Sequence, residues 1–187
     1  MKSGKLLLWG LWDTVYQRCT RLKYVDKGRN IFRIVKVPYR GETLVTSDNQ
    51  QICSGDLILR LHIHNYLFAC ECNGIADETR VVLRLRRLIV SSLPQLALYL
   101  ATLPQSQQIK GVVGTTMLNK GVEQIGFTVS DVPMTWFFRY KRWYLKYLLL
   151  AIHPNGRERI KNYNKRTTLK RVYMSKEELF RRYLPSS

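Results

Sequence analysis

Acidic residues are scarce in this chain. Its 187 residues include 13 Asp and Glu against 31 Lys and Arg, so the formal net charge is +18. The excess lies at the two ends, because residues 1–40 carry +8 and residues 133–187 carry +11, whereas residues 41–132 carry −1. The scarcity of acids argues against a hydrolase site built from paired carboxylates. The basic ends attract polyanions in general, whether nucleic acid, anionic lipid or anionic polymer.

Long apolar runs are also missing, which excludes an integral membrane protein. No run approaches the roughly 18 apolar residues that a spanning helix needs. Lys2 and Lys5 precede the apolar residues 6–12 as in a signal peptide, but Asp13 interrupts the run and no small-residue cleavage site follows. Residues from about 5 to 22 are therefore predicted to form a first helix that docks on the rest of the fold. We expect a cytoplasmic protein that is peripheral, at most, at the inner face of the membrane.

Cysteine clusters and catalytic signatures are absent too. Four cysteines are too few and too scattered for a disulfide scaffold, and Cys70 and Cys72 lack the two-residue gap of zinc and thioredoxin-like sites, so free thiols are expected. The sequence has no GxSxG, Walker, HExxH or GxGxxG motif. No metal or cofactor is therefore expected, and whether the protein is an enzyme stays open.

The patterns that are present mix strands with helices over residues 1–187, which predicts a single α+β domain. A small, mostly antiparallel sheet packed by helices is expected. Three strands within residues 31–64 are predicted to form an antiparallel meander. After Asp77 the pattern is helical, and Ser92 with Pro94 predicts that a second helix, or a kink, begins there. The remaining predictions are strands at about 109–118, 126–131 and 168–174, a helix at 133–151, and a last helix from the Ser175–Glu178 capping box to Tyr183.

One predicted strand, GDLILRLHIHN at residues 55–65, alternates apolar and polar residues. Its leucines fall on every second position, and Arg60, His62 and His64 fall between them. Because strand side chains alternate between two faces, the polar face is a candidate ligand-binding site. The candidate ligand-binding residues are Arg60, His62, Asn65 and, from the neighbouring strand, Arg33.

Three interpretations of this polar face remain open. The two histidines at i and i+2 could bind a metal ion, but no third ligand lies nearby and Arg60 would repel a cation. They could instead face another ligand, with His62 the better placed because it is nearer the middle of the strand. They could also be plainly solvated, and Asn65 could either contact a ligand or cap the next helix.

The predicted helix at 133–151 belongs to a basic C-terminal section, residues 133–187. Arg139, Arg142 and Lys146 stack on one side of it, with Trp136 and Trp143 at the flanks. Such a helix suits the headgroup plane of an anionic membrane, and it equally suits base stacking with phosphate contacts. A third interpretation is a core-packing helix with a solvated basic stripe. No zinc-finger, RNP or KH pattern accompanies it, so sequence-specific nucleic-acid binding is not expected.

Five segments together resemble the bacterial YkoP-like domain: residues 8–24, 55–65, 125–127, 153–156 and 173–179. The likeness spans nearly the whole chain, and its most specific part is the strand with the pattern GD, LH and N. In that family the domain stands alone or follows polysaccharide deacetylase modules, and its activity is unassigned. Gly55, Asp56, His62 and Asn65 match the family pattern, whereas another polar residue commonly stands in place of His64. The resemblance implies bacterial cell-envelope or glycan metabolism rather than a particular reaction.

Together these features predict a binding or accessory module in cell-envelope polysaccharide metabolism. Its expected partner is an anionic ligand, a membrane surface or a glycan polymer. One alternative is an enzyme of unknown class in which His62 acts as acid or base. Another is a protein that binds nucleic acid non-specifically through its basic ends.

Overall fold

The described residues form eight strands and four helices of seven or more residues. The structure is a computed structural model that describes residues 3–75, 77–116, 121–133, 135–136, 138–139, 143 and 169–184, with the backbone alone for residues 3–9, 12 and 78. The helices are α1 (Ser3–Thr20), α2 (Asn65–Glu71), α3 (Glu78–Thr102) and α4 (Lys176–Tyr183), and short 3-10 turns cover Ser106–Gln108 and Glu123–Ile125. The strands are β1 (Lys23–Tyr24), β2 (Phe32–Pro38), β3 (Leu44–Val45), β4 (Gln51–Ile52), β5 (Leu57–Ile63), β6 (Ile109–Thr116), β7 (Thr128–Asp131) and β8 (Lys170–Ser175).

Six of the strands form one sheet in the order β1-β2-β5-β6-β8-β7. Every neighbouring pair is antiparallel except β5 and β6, which run parallel. The other two strands, β3 and β4, pair with each other as a separate antiparallel hairpin. The predicted α+β fold with a mostly antiparallel sheet is confirmed.

The region between residues 31 and 64 departs from the predicted meander. β2 pairs directly with β5, from Phe32 opposite Ile63 to Pro38 opposite Leu57. The β3–β4 hairpin leaves this sheet and folds back onto one of its faces, because Ile52 and other apolar residues of the hairpin are buried there. The predicted strands therefore exist, but the middle one belongs to a different sheet.

α3 is one continuous helix, so the prediction of a second helix beginning at Ser92 is wrong. Pro94 lies inside α3, on its exposed side. Ser92 binds the entry of β2 instead: its hydroxyl accepts from the Ile31 backbone N–H at 3.0 Å, and its carbonyl accepts from the Asn30 side chain at 2.9 Å. The helix is capped at its true start by the Asp77 side chain.

The first face of the sheet carries the main core. Leu59 and Leu61 of β5 point to this face and are buried. α3 and α4 cover it with aliphatic side chains, which include Leu93, Leu96, Ala97, Leu100 and Leu179. Burial of this apolar surface is the main force that holds the sheet to the helices.

The second face of the sheet is covered only in part by elements that the structure describes. At one end the hairpin packs on apolar residues of the sheet, namely Ile58, Val113 and Tyr173. Two hydrogen bonds fasten it: Ser175 Oγ donates to Asp48 Oδ2 at 2.6 Å, and Tyr173 Oη donates to the Val45 carbonyl at 3.2 Å. Near the other end α1 approaches β2. Several polar side chains of the sheet lie between the hairpin and α1.

Candidate functional site

Basic side chains gather on the second face, in a region that we call the arginine face. The register of β2 and β5 places Arg33 opposite His62, and Arg60 follows two residues before His62 on the same strand. Directly opposed residues and every second residue of a strand share a face. Thr115 of β6 continues this face and lies opposite Arg171 of β8. The arginine face therefore comprises Arg33, Arg60, His62 and Arg171.

Arg60 lies in the open part of the arginine face. The residue is exposed, and among the described residues it has no hydrogen bond and no ion pair. Desolvation of the guanidinium, and to a lesser extent the like charge of Arg40, lowers the pKa of Arg60. Both effects destabilise the charged form, so an anion bound beside Arg60 would stabilise it.

Arg171 is a buried cation that contacts a neutral partner. Only 7% of the residue is exposed, and no carboxylate pairs with it within the described part of the chain. Its Nη1 donates to Tyr39 Oη at 2.9 Å, and its guanidinium carbon lies 5.7 Å from the centre of the Tyr39 ring. Burial raises the pKa of Tyr39 despite the opposing charge of Arg171. The phenol therefore stays neutral, and none of the described residues supplies a negative charge that pairs with Arg171.

A buried polar cluster lies where α1, β2 and the start of α2 meet. Arg33 Nη2 donates to Asp13 Oδ1, and His64 Nε2 lies 3.2 Å from Asp13 Oδ2. Arg33 is 1% exposed, and Asp13 and His64 are each 7% exposed. The Tyr24 ring lies 5.3 Å from the Arg33 guanidinium and meets the His64 ring edge-on at 5.2 Å. We call Asp13, Arg33 and His64 the buried cluster.

Asp13 is the negative charge of the buried cluster. Burial alone would raise the pKa of Asp13, but hydrogen bonds from His64 and Arg33 outweigh it and hold this pKa below its ordinary value. The carboxylate is therefore ionised at neutral pH and compensates the charge of Arg33. Buried charges that persist in folded proteins are paired in this way.

Comparison with known proteins assigns the chain to a family. A family model described as the YkoP domain matches residues 2–183. A relative named Uncharacterized protein YkoP, from Bacillus subtilis (strain 168), is 33% identical over 140 residues, which cover 74% of this chain and 76% of the relative. The chain belongs to the YkoP domain family. No solved structure matches this YkoP domain. The family resemblance seen in the sequence is confirmed, whereas the link to polysaccharide deacetylases stays a prediction.

The YkoP fold brings three of the four predicted ligand-binding residues together. Arg60 and His62 lie on the arginine face, and His62 is half-buried there. Arg33 shares the face, but its side chain is buried against Asp13. Asn65 is the half-buried first residue of α2, and His64 takes the cap position before it. The alternative in which Asn65 caps this helix is therefore wrong, and ligand binding by all four residues stays a prediction.

Sequence reasoning placed His64 on the polar face but did not include it among the candidate ligand-binding residues, and it missed Asp13 and Arg171. Asp13 offered a signal, because it is the one acid among residues 1–25 and it interrupts an apolar helix side. A carboxylate in such a position is usually paired when it is buried, so it predicts a cationic partner elsewhere in the chain. Arg171 offered no comparable signal, because its partner Tyr39 lies 132 residues away.

The predicted anionic-surface residues lie only partly within the described residues. Trp136 and Trp143 are 81% and 56% exposed, and Arg139 is exposed as well. All three have helical backbone. Arg142 and Lys146 lie outside the described residues. Contact of the predicted residues with an anionic surface stays a prediction.

Across the described ranges, no three His, Cys, Asp or Glu residues come close enough together to hold a metal ion. The four cysteines are free, and burial raises the pKa of the Cys72 thiol to about 11, which makes it a poor nucleophile at neutral pH. No described helix is long and apolar enough to cross a membrane.

Proposed function

We propose that this YkoP-domain protein is a binding module that recognises an anionic glycan or glycan intermediate through the arginine face. The observation that carries the proposal is the position of Arg60, an exposed cation that lies beside Arg40 and has no carboxylate partner among the described residues. Arg171 adds a second charge without a carboxylate partner in that part of the chain, and it is held in place by Tyr39.

A bound anionic group would compensate the positive charge of the arginine face. Guanidinium groups donate several hydrogen bonds in a fixed geometry that matches carboxylate and phosphate oxygens. A phosphate or carboxylate between Arg60 and Arg171 would offset the repulsion between Arg60 and Arg40. His62 lies two residues from Arg60 on the same strand and would border the bound group.

The glycan part of the proposal is supported by the family alone. The YkoP-like pattern implies a domain that occurs beside polysaccharide deacetylases, and the Bacillus relative is a bacterial protein without a described activity. A module that holds an anionic polymer or precursor for such an enzyme accounts for both the basic face and the scarcity of acids. A cytoplasmic location at the inner face of the membrane belongs to the same proposal.

Isothermal titration with glucose 6-phosphate, and with glucose as the neutral control, tests this function. Arg60→Gln should weaken binding of the phosphate sugar at least about tenfold, since a charge-assisted hydrogen bond contributes about 1.5–3 kcal/mol. Arg80→Gln is the matched control, because Arg80 is equally exposed but lies on α3 under the other face. Equal losses for the two variants would mean that only the net charge matters. Binding of duplex DNA that is tighter and falls more steeply with salt would favour the nucleic-acid alternative.

A membrane role is supported by a separate observation, the exposure of Trp136, Arg139 and Trp143. Tryptophan and arginine together suit the interface of an anionic bilayer. Sedimentation with vesicles that contain phosphatidylglycerol should show binding that the double variant Trp136→Ala/Trp143→Ala reduces severalfold. Leu98→Ala is the matched control, because Leu98 is 56% exposed, like Trp143. Equal binding to vesicles of phosphatidylcholine alone would contradict an electrostatic contact.

A further inference from the structure

The buried cluster of Asp13, Arg33 and His64 contains polar atoms that no described residue satisfies. Arg33 Nε and Nη1 and His64 Nδ1 are buried, and none of these nitrogens has a hydrogen-bond partner among the residues that the structure describes. Leaving a polar group buried and unpaired costs about 1–3 kcal/mol, and such groups are rare in folded proteins. These three nitrogens belong to two side chains that are more than nine-tenths buried and that both contact Asp13. Such a set indicates that a ligand completes the cluster.

The hydrogen-bond partners already present fix the character of each unpaired atom. Ionised Asp13 only accepts hydrogen bonds, so the His64 Nε2 that faces it must carry a hydrogen. In neutral His64 the other nitrogen, Nδ1, then holds a lone pair and is an acceptor. The unpaired Arg33 nitrogens are donors. The vacant contacts therefore comprise donors from Arg33 and one acceptor from His64.

We propose that Arg33 and His64 form a subsite for a phosphate group that retains a proton, with Asp13 selecting the His64 tautomer. The phosphoryl oxygens would accept from Arg33, and the P–OH would donate to His64 Nδ1. Sulfate has the same size and shape but no proton at neutral pH, so it would meet the Nδ1 lone pair with another lone pair. This inference rests on the proposed function, because Arg33 lies opposite His62 on the arginine face.

Tyr24 is the cover of this subsite. Its ring contacts the Arg33 guanidinium on one side and the edge of the His64 ring on the other, and the residue is half-buried on the two-residue edge strand β1. Lys27 Nζ lies 6.0 Å from the centre of the same ring. Rotation of Tyr24 away from the sheet would uncover both partners of the phosphate at once, with a further cation at the entrance.

Asp13→Asn tests the tautomer directly. Arg33 Nη2 needs an acceptor, so the amide oxygen of the new side chain would take that place and its NH2 would face His64 Nε2. Nε2 must then accept, which moves the hydrogen of His64 to Nδ1. The variant should bind sulfate as well as phosphate even at pH 8. Nitrogen-15 spectra of the two histidine nitrogens report the same exchange of tautomers without any ligand.

Isothermal titration of the whole chain with inorganic phosphate and with sulfate at pH 8 measures this preference. The wild type should prefer phosphate at least about tenfold, a difference of about 1.4 kcal/mol. Glucose 6-phosphate and dimethyl phosphate separate the sources. At pH 8 a phosphomonoester is doubly ionised, because its second pKa is about 6, and the diester has no P–OH. Both should therefore behave like sulfate, whereas inorganic phosphate keeps one proton. This wild-type series stands even if Asp13→Asn fails to fold.

The failures of the two proposals are distinguishable. Equal binding of phosphate and sulfate at pH 8, lost on Arg60→Gln, would overturn the subsite and leave the arginine face as an anion site. No binding of either anion would remove both proposals. An Nδ1–H tautomer of wild-type His64 at pH 8 would overturn the subsite by itself.

Discussion

The two faces of the central sheet are built from the same strands with opposite chemistry. On β5, Leu59 is 1% exposed on the first face, whereas its neighbour Arg60 is exposed on the second. α3 and α4 close the first face with aliphatic side chains, while the hairpin covers one end of the second. Apolar burial on one face suffices to hold the layers of such a fold together, which leaves the other free to carry charge.

The arginines of the second face differ in how far their charge is compensated. Arg33 has the Asp13 carboxylate, Arg171 has the neutral Tyr39 hydroxyl, and Arg60 has no partner among the described residues. The compensation of positive charge by described residues therefore decreases from Arg33, beside α1, to Arg60, in the middle of the sheet. Anion binding is expected to be strongest where compensation is least, and stability should depend on the first face instead.

The largest effect is expected from Leu59→Ala, which opens a cavity in the first face. Truncation of a buried leucine costs about 2–5 kcal/mol, because the surrounding core relaxes only in part. Urea unfolding at neutral pH measures the free energy of unfolding, and Arg60→Ala is the matched control one residue further along the strand. A smaller loss for Leu59→Ala than for Arg60→Ala would show that stability does not reside on the first face.

A smaller loss is expected from Ser175→Ala, which loosens the cover of the second face. Ser175 Oγ accepts from the Glu178 N–H at 2.9 Å as the cap of α4, and it donates to Asp48 of the hairpin turn at 2.6 Å. Removal of such a cap costs about 0.5–2 kcal/mol in the same unfolding experiment. Lys176→Ala, at the next position and outside the cap, is the control and should change stability less.

Acidification should weaken the hydrogen bond between Ser175 and Asp48 in the wild type. Burial would raise the pKa of Asp48, but hydrogen bonds from Ser175 and Thr46 outweigh it and lower this pKa overall. Such a carboxyl stabilises the fold at any pH above its unfolded pKa of about 3.9, and the contribution is lost as the pH falls through the lower folded value. Acidification below about pH 4 should thus cost the wild type more stability than Ser175→Ala. Equal losses would contradict the role of Ser175.

Features set by local spacing could be predicted from the sequence. The side-chain period of two on β5 separates Leu59 from Arg60, and the Ser175 side chain caps α4 as predicted, although the Glu178 carboxylate accepts from Arg181 and Arg182. Both features follow from the conformation of a few consecutive residues, and this is why they could be found without knowledge of the tertiary fold.

Features set by distant partners could not be predicted. The residues next to Ser92 predict that it caps a helix. Its hydroxyl instead accepts a hydrogen bond from the backbone N–H of Ile31, which lies 61 residues away. The separation of the hairpin from the main sheet, and the use of Arg33 inside the buried cluster, likewise depend on which segments meet in three dimensions. Local patterns carry no information on these pairings.

Arg60→Gln is expected to change the free energy of unfolding least, and the size of this change tests whether Arg60 makes structural contacts. A surface change away from caps and buried contacts usually alters the free energy of unfolding by less than about 0.5 kcal/mol. Arg60→Gln should slightly increase the free energy of unfolding, because Arg40 repels Arg60 in the wild type. This increase should become smaller as salt screens the repulsion. Urea unfolding at low and high ionic strength measures both, and Arg40→Gln should remove the increase. A loss of more than about 1 kcal/mol in the free energy of unfolding would mean that Arg60 is a structural residue, since such losses come from broken buried contacts. The second face would then contribute to stability through Arg60, against the expected contrast between the two faces.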